Sequence, residues 1–559
     1  MRTVENPQLG GKRVTSIAGI LGMIRLRLDK YLIIITKVEP VGRIRGHTIY
    51  KIKATEFLPL QERDLHDSDE DAYMALLKTH LRTGPMYFSY SFDLTNSFQR
   101  QTSVNHSLPL WQRADDRFFW NRYIQSDLID ARSSYPQIDP YILPVQFGYV
   151  NISATVLKST PLKFVLITRK SRHRAGTRYL SRGIDEAGHV GNFNETEQII
   201  LIGDTDGTSG GYDQKTIGAG SSEKVQVLSY VQTRGSVPVN WAELNNLHYT
   251  PKLQIRGVES ATDATRLHFD EQISLYGDNY LVNLVNQKGR EERVKAAYEQ
   301  SVRLLVSSPA ESKVASDKTS ERFREIEPTE RGQKMDRIHY IYFDFHHECR
   351  GMQWHRALLL LDKLGDGLHN QGFFQSTEGG ATSTVQSYQQ SVVRSNCMDC
   401  LDRTNVVQSM LARWTLEKQM IQLGVLATHE DISNFKNFEL TFRNGTFPLG
   451  TLDPEPSLTP RSLGRQRRRR FPRLLRHRCP QNRLHAHRRP HQGRRPRRPL
   501  QLHHPLLPQQ LRGRPAPGRL RPLPRHLPPH PLQHPPHLRR PPPHPRPIRP
   551  LHPHRRPLL

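Results

Sequence analysis

The 559-residue chain holds only four cysteines and no run of 18 or more apolar residues. The first shortage argues against a disulfide-stapled secreted fold and fits a reducing, cytosolic setting. The second leaves no segment of this sequence long enough to span a bilayer as a helix. No signal peptide is expected, because Ile17 to Ile24 is apolar but short and wrongly flanked. Zinc motifs are missing as well. Cys397 and Cys400 form a Cys-x2-Cys pair, but Cys349 and Cys479 stand alone, so no second pair completes a structural zinc site. His346-His347-Glu348-Cys349 lacks the H-E-x-x-H spacing of a zinc helix and reads as structural. Neither a metal nor any other cofactor is expected.

Negative charge is missing from one end. Residues 461–559 contain 27 arginines, no lysine and no Asp or Glu; the whole chain carries +28, so residues 1–460 carry only +1. The basic character that suggests nucleic acid therefore belongs to the tail, and no nucleic-acid partner is expected for the body.

The body divides by pattern. From Ile20 to about Ile167, β-branched and aromatic runs such as Tyr31-Leu32-Ile33-Ile34-Ile35-Thr36 and Phe164-Val165-Leu166-Ile167-Thr168 are punctuated by turn residues. This predicts a largely β N-terminal subdomain over residues 1–170. From Ser171 onward strand-like pieces alternate with helical ones, with helices predicted over Asp270–Gln287 and Glu291–Leu305. The fold class is α/β (α+β), with a catalytic α/β subdomain over 171–444. Asp204–Glu223 and Ser307–Asp336 read as polar surface insertions.

The chemistry concentrates in Asn396-Cys397-Met398-Asp399-Cys400-Leu401-Asp402-Arg403-Thr404-Asn405. Val392 and Val393 lie in an extended stretch, Gln389–Arg394. Val406, Val407, Met410, Leu411, Ala412 and Trp414 recur at helical spacing through Gln419. A loop running from a strand into a helix N-terminus offers free N–H groups and a favourable dipole to an anion. That field lowers a cysteine pKa from ~8.5 into the range ~3.5–7.5, so Cys397 is the expected nucleophile. Arg403 supplies a planar fork suited to two phosphate oxygens. Thr404 is placed to bond the sulfur or to cap the helix. Met398, Cys400, Leu401 and Asp402 complete the loop. A buried, inert Cys397 remains the alternative at this level, since a bare Cys-x5-Arg match is weakly specific.

The full string Arg394 to Asn405 resembles the signature of the Sac family of phosphoinositide phosphatases. So do Tyr31 to Tyr50, Tyr90 to Thr95, Asp115 to Asn121, Arg172 to Arg182, Asn192 to Glu197, Gln232 to Pro238 and Tyr342 to Cys349, collinear over about residues 11–444. The resemblance implies hydrolysis of phosphatidylinositol monophosphates, at the 4-phosphate first and with the 3-phosphate as the second candidate, through a cysteinyl-phosphate and without a metal. It implies the cytosolic face of the endoplasmic reticulum or Golgi as the setting. Asp399 is the preferred proton donor to the leaving oxygen; Asp402, Asp344 and His346 are the alternatives. A catalytically impaired phosphoinositide-binding scaffold is the alternative function. The expected partners are the lipid and an anionic membrane surface, to which Arg172, Arg174, Arg178 and Arg182 of the basic run are assigned; no protein partner is indicated.

Residues 461–559 hold 24 of the 41 prolines and 13 of the 27 histidines, a composition without a core and expected to be disordered. Leu463–Phe471 and Leu500–Pro515 can each be back-translated so that another frame gives peptides resembling the family's continuation after Phe442-Arg443-Asn444. Removing two nucleotides of codon 445, 48 of codons 446–461 and two of codon 462 restores that frame. Residues 445–559 thus read as an intron translated through, followed by a frameshift.

Overall fold

The computed structural model describes residues 16–61, 67–175, 182–204, 224–243, 252–306, 323–328, 333–350, 353–379, 382–398 and 402–446. Fourteen strands drawn from these residues form one sheet. Strands β1 (Gly19–Arg25), β2 (Lys30–Ile44), β3 (His47–Pro59), β4 (Met86–Phe88), β5 (Gln146–Leu157), β6 (Thr160–Lys170), β7 (Asn194–Ile202) and β8 (Val225–Arg234) pair antiparallel in succession. β9 (Trp241–Glu243) and β10 (Leu253–Ile255) form a separate hairpin-like pair. The large sheet then continues through β11 (Asp278–Asn283), β12 (Phe323–Ile326), β13 (Ile338–Phe343), β14 (Phe374–Gly379), β15 (Thr382–Ser387) and β16 (Ser391–Asn396), in the spatial order β8-β16-β11-β13-β12, with β14 paired to β8 and β15 paired to β14. The sheet crosses position 170 without interruption, since β6 pairs with β7 from Leu162↔Ile202 to Lys170↔Asn194.

The longer helices are α1 (Ser68–Thr83), α2 (Thr262–Tyr276), α3 (Glu292–Val306), α4 (Leu359–Gln371), α5 (Asp402–Gln422) and α6 (Lys436–Thr446). Period-two alternation decides which covers which face. Leu281, Tyr340 and Tyr342 turn toward Phe269, Ile273, Val294, Tyr298 and Val302 of α2 and α3. Their neighbours Val282, Ile341 and Phe343 turn the other way, toward Leu360, Leu364 and Leu368 of α4 and Val407 and Leu411 of α5. Further along, Ala412, Leu416 and Met420 of α5 and Phe438 and Phe442 of α6 cover Phe164, Leu166 and Ile200. Among the described residues no helix is long and apolar enough to cross a membrane.

Two expectations are corrected. The helix predicted over Asp270–Gln287 stops at Tyr276, because Gly277 takes φ +77° and its N–H bonds Ile273 O at 2.9 Å. A Cβ there would lie 2.1 Å from Gln390 O, so only glycine fits; the residues beyond form β11. Within the expected insertion Ser307–Asp336, Phe323–Ile326 is instead an edge strand paired antiparallel with β13; residues 307–322 and 329–332 lie outside the described set. Of Asp204–Glu223 only Asp204 is described, holding Lys163 Nζ at 2.9 Å. The tail from residue 447 also lies outside it.

Candidate active site

Four parallel strands, β8, β16, β11 and β13, end at one edge: Arg234 pairs with Ser395, and Asn283 with both Asn396 and Tyr342. Residues just beyond such carboxyl ends converge on a shared crevice. Cys397 is the first residue after β16 and follows the face of Val393, so it packs into the cluster with Val407 and Leu411 and is 3% exposed. Met398 crosses to the opposite cluster, beside Trp241, Tyr298 and Tyr342. The strand end is pinned from β11: Asn396 Nδ2 donates to Asn283 Oδ1 at 2.8 Å, and the Leu284 N–H to Asn396 O at 2.8 Å. α5 opens at Asp402, so the expected strand, loop and helix are present in order. Asp399, Cys400 and Leu401, and with them the preferred general acid, lie outside the described residues.

Arg403 is not turned to open space. Its Nη1 donates to Leu284 O at 2.7 Å, Asn286 Oδ1 at 3.1 Å and Glu291 Oε2 at 2.8 Å, while Nη2 donates to Glu291 Oε1 at 2.8 Å. This is a bidentate fork on a carboxylate, and Glu291 is aimed by the Asn286 N–H at 2.7 Å. Sequence reasoning missed Glu291; the only signal was an acid just ahead of a helix start. Thr404 is fully buried and its Oγ1 makes no hydrogen bond, so neither expected bond, to the sulfur or as a cap, is formed.

The basic run is not one surface. Arg172 is occupied by Asp116, donating to its carbonyl at 2.8 Å and its carboxylate at 2.5 Å. Arg174 donates to Arg182 O at 2.5 Å. Arg178 lies outside the described residues. Arg182 is buried: Nη1 donates to Met398 O at 2.6 Å, its guanidinium lies 5.5 Å from the Trp241 ring centroid, and Nη2 stands 3.4 Å from Glu243. A membrane surface cannot reach a side chain in that position, which corrects its assignment.

Of the alternative acids, Asp344 follows β13, is buried, and caps the short helix Phe345–Glu348 by accepting the His347 N–H at 3.1 Å. His346 is exposed. Burial, aided by the carboxylates of Asp344, Glu299 and Glu291, pushes the Tyr342 phenol far above its usual range, which places Asp344 and Glu291 in one electrostatic neighbourhood. Burial and then Glu348 push the Cys349 thiol up to about 11, leaving it inert beside the proposed nucleophile. Glu348 is engaged by Arg356 at 2.6 Å, and among the described residues no group of His, Cys, Asp and Glu is arranged to hold a metal.

The SacI homology domain matches residues 18–350. The chain is 46% identical over 418 residues to the phosphatidylinositol-3-phosphatase SAC1 of Saccharomyces cerevisiae, covering 74% of this chain and 60% of the yeast protein. It is 35% identical over 436 residues to SAC1-B of Danio rerio, also named a phosphatidylinositol-3-phosphatase, covering 77% and 65%. It is 34% identical over 440 residues to the phosphoinositide phosphatase SAC6 of Arabidopsis thaliana, again covering 77% and 65%. The chain thus spans less than two thirds of the length of these curated relatives.

Proposed function

Because the chain belongs to the Sac family of phosphoinositide phosphatases, we propose that it hydrolyses the phosphate monoester of phosphatidylinositol monophosphates. The observation that carries the reading is the placement of Cys397 and Arg403 at the two ends of one strand-to-helix loop, on the shared edge of four parallel strands. In the first step the Cys397 thiolate attacks phosphorus, a sulfur–phosphorus bond forms, and the bond to the inositol oxygen breaks. That oxygen takes a proton from Asp399. Water, passing a proton to the Asp399 carboxylate, then attacks phosphorus of the cysteinyl-phosphate; the sulfur–phosphorus bond breaks, releasing inorganic phosphate and the thiolate. Arg403 holds the transferring oxygens through both steps. No metal takes part in this scheme.

The preferred substrate is the 4-phosphate, with the 3-phosphate as the competitor, since the yeast and zebrafish relatives are named for it. The lipid is met on an anionic membrane surface, with Arg172 contributing ~1 kcal/mol. By family resemblance the setting is the cytosolic face of the endoplasmic reticulum or Golgi. The test is phosphate release from vesicles containing either lipid, in EDTA. Turnover that favours the 4-phosphate and falls by on the order of 10⁴-fold or more in Cys397→Ser supports the proposal. Turnover confined to the 3-phosphate removes the positional preference, and turnover dependent on a divalent ion removes the metal-free scheme.

A phosphoinositide-binding scaffold is the second reading, favoured by the commitment of both Arg403 Nη atoms to Glu291. Vesicle binding without turnover identifies it. For residues 445–559 we propose intron read-through and a frameshift, and a cDNA lacking the 52 nucleotides from codon 445 to codon 462 is the expected result.

A further inference from the structure

A buried arginine is costly unless it is paired and hydrogen-bonded, and Arg182 is spent on a backbone carbonyl of the phosphate loop. We propose that Arg182 is a positioning residue for that loop: by capturing the Met398 carbonyl it fixes the backbone one residue beyond Cys397. The proposal rests on the phosphatase reading above. A guanidinium that holds the Met398 carbonyl at 2.6 Å keeps its oxygen engaged, whereas a carbonyl swung toward a bound anion would repel it.

The backbone that delivers Arg182 is itself fixed. Gly183 follows with φ +65°, and a Cβ there would lie 2.4 Å from Val239 O and 2.9 Å from Trp241 O. Its N–H donates to Ser236 Oγ at 2.9 Å, and its carbonyl accepts the Gly191 N–H at 2.9 Å. Beyond the guanidinium, Glu243 is shared: Oε2 stands 3.4 Å from Arg182, and Oε1 is 3.2 Å from Arg290. Arg290 belongs to the 3-10 turn Gly289–Glu291, whose last residue holds Arg403. Both ends of the Cys-x5-Arg loop are thus tied to one turn, the Met398 end through Arg182, Glu243 and Arg290, the Arg403 end through Glu291 directly.

The experiment uses the full chain and the variants Arg182→Met, Arg182→Lys and Glu243→Gln. Three quantities are read: kcat and KM on phosphatidylinositol 4-phosphate and 3-phosphate vesicles, the pH dependence of Cys397 alkylation by iodoacetamide followed by peptide mass spectrometry, and the thermal midpoint. Arg182→Met should lower kcat by about 10²-fold with KM changed less than about threefold, the mark of misplaced rather than missing binding groups. Its Cys397 alkylation midpoint should rise by about one pH unit as a nearby positive charge is lost. Arg182→Lys should restore the alkylation midpoint but not kcat, since it returns the charge without the planar fork. Glu243→Gln should act in the same direction and more weakly, and it decides the matter if Arg182→Met does not fold. Unchanged kcat and alkylation in Arg182→Met and Glu243→Gln overturn the proposal, as does a loss seen only in KM. Wild-type protein without turnover overturns the phosphatase reading instead, and the alkylation profile then judges Arg182 alone.

Discussion

Two buried polar groups in this molecule are put to opposite ends. Under β6 and β7, Arg100, Arg117 and Arg169 face Asp115, Glu195 and Glu197, three charges of each sign. Arg169 donates to Leu94 O at 2.6 Å, Asn96 O at 3.0 Å, Glu195 at 3.0 Å and Glu197 at 2.6 Å. Arg100 grips Glu195 with two bonds, at 2.7 and 2.9 Å, and Tyr276 donates to the same carboxylate. Burial alone would raise the Glu195 pKa; Arg100 and Arg169 hold it down at about 2. At the loop edge, by contrast, Ser395 Oγ, Asn396 Oδ1, Thr404 Oγ1 and two guanidinium nitrogens of Arg394 are buried without hydrogen bonds. The satisfied set braces the N-terminal segments against the sheet. The unsatisfied set lies on the strand end and helix start that flank the loop to which the chemistry is assigned.

The sharpest way to break the comparison is Arg169→Met, which takes the cation from the buried Glu197 and one of the cations from Glu195 and should cost about 3–5 kcal/mol in denaturant unfolding; a loss below 1 kcal/mol would make the brace ornamental. At the loop, Arg403→Lys should reverse the balance. Turnover on phosphoinositide vesicles drops by about 10²–10³-fold, while stability moves by only about 1–2 kcal/mol. A third test lies outside both sets, where Arg413 is shared by Glu417, Asp431 and Glu439 at 3.2, 2.5 and 2.7 Å. Burial, then the Asp431 charge, raises the Glu417 pKa to about 7. A carboxyl raised in the folded state gives stability that is whole below its unfolded pKa of ~4.3 and is lost as pH climbs to about 7. Glu417→Gln should therefore gain in thermal midpoint over the wild type as pH rises across that window, with little difference at pH 4. The smallest effect belongs to Arg172→Ala. Its partner Asp116 is half exposed, so stability should stay within about 0.5 kcal/mol, and vesicle affinity should fall by ~1 kcal/mol if the residue meets an anionic surface.

The strand, loop and helix around Cys397 were legible because local patterns carry them: Val392 and Val393 before, helical spacing from Val406 after. Gly277 was misread because its φ is imposed by Gln390 O, distant in sequence. Arg182 was misread for a similar reason. Charge runs predict exposure on average, and nothing near Arg182 announces Trp241, Glu243 or the Met398 carbonyl. Glu291 was invisible because its partner lies 112 positions away. The motifs Asp115–Asn121 and Asn192–Glu197 were visible as strings, yet only the fold separates them into the brace, with Asp115, Arg117 and Glu195, and backbone anchors such as Asn121, which accepts the Val145 N–H at 2.9 Å.

The unbroken pairing of β6 with β7 also bears on how the gene can be cut for study. A fragment ending at residue 170 would carry β6 with its hydrogen-bonding edge bare and Arg169 without its carboxylates, while the complementary fragment would carry Glu195 and Glu197 without their cation. Each alone invites aggregation through its open edge. Co-expressed, the two offer matching edges and opposite buried charges, so the same junction that defeats expression in halves suits a split reporter whose reassembly restores the loop.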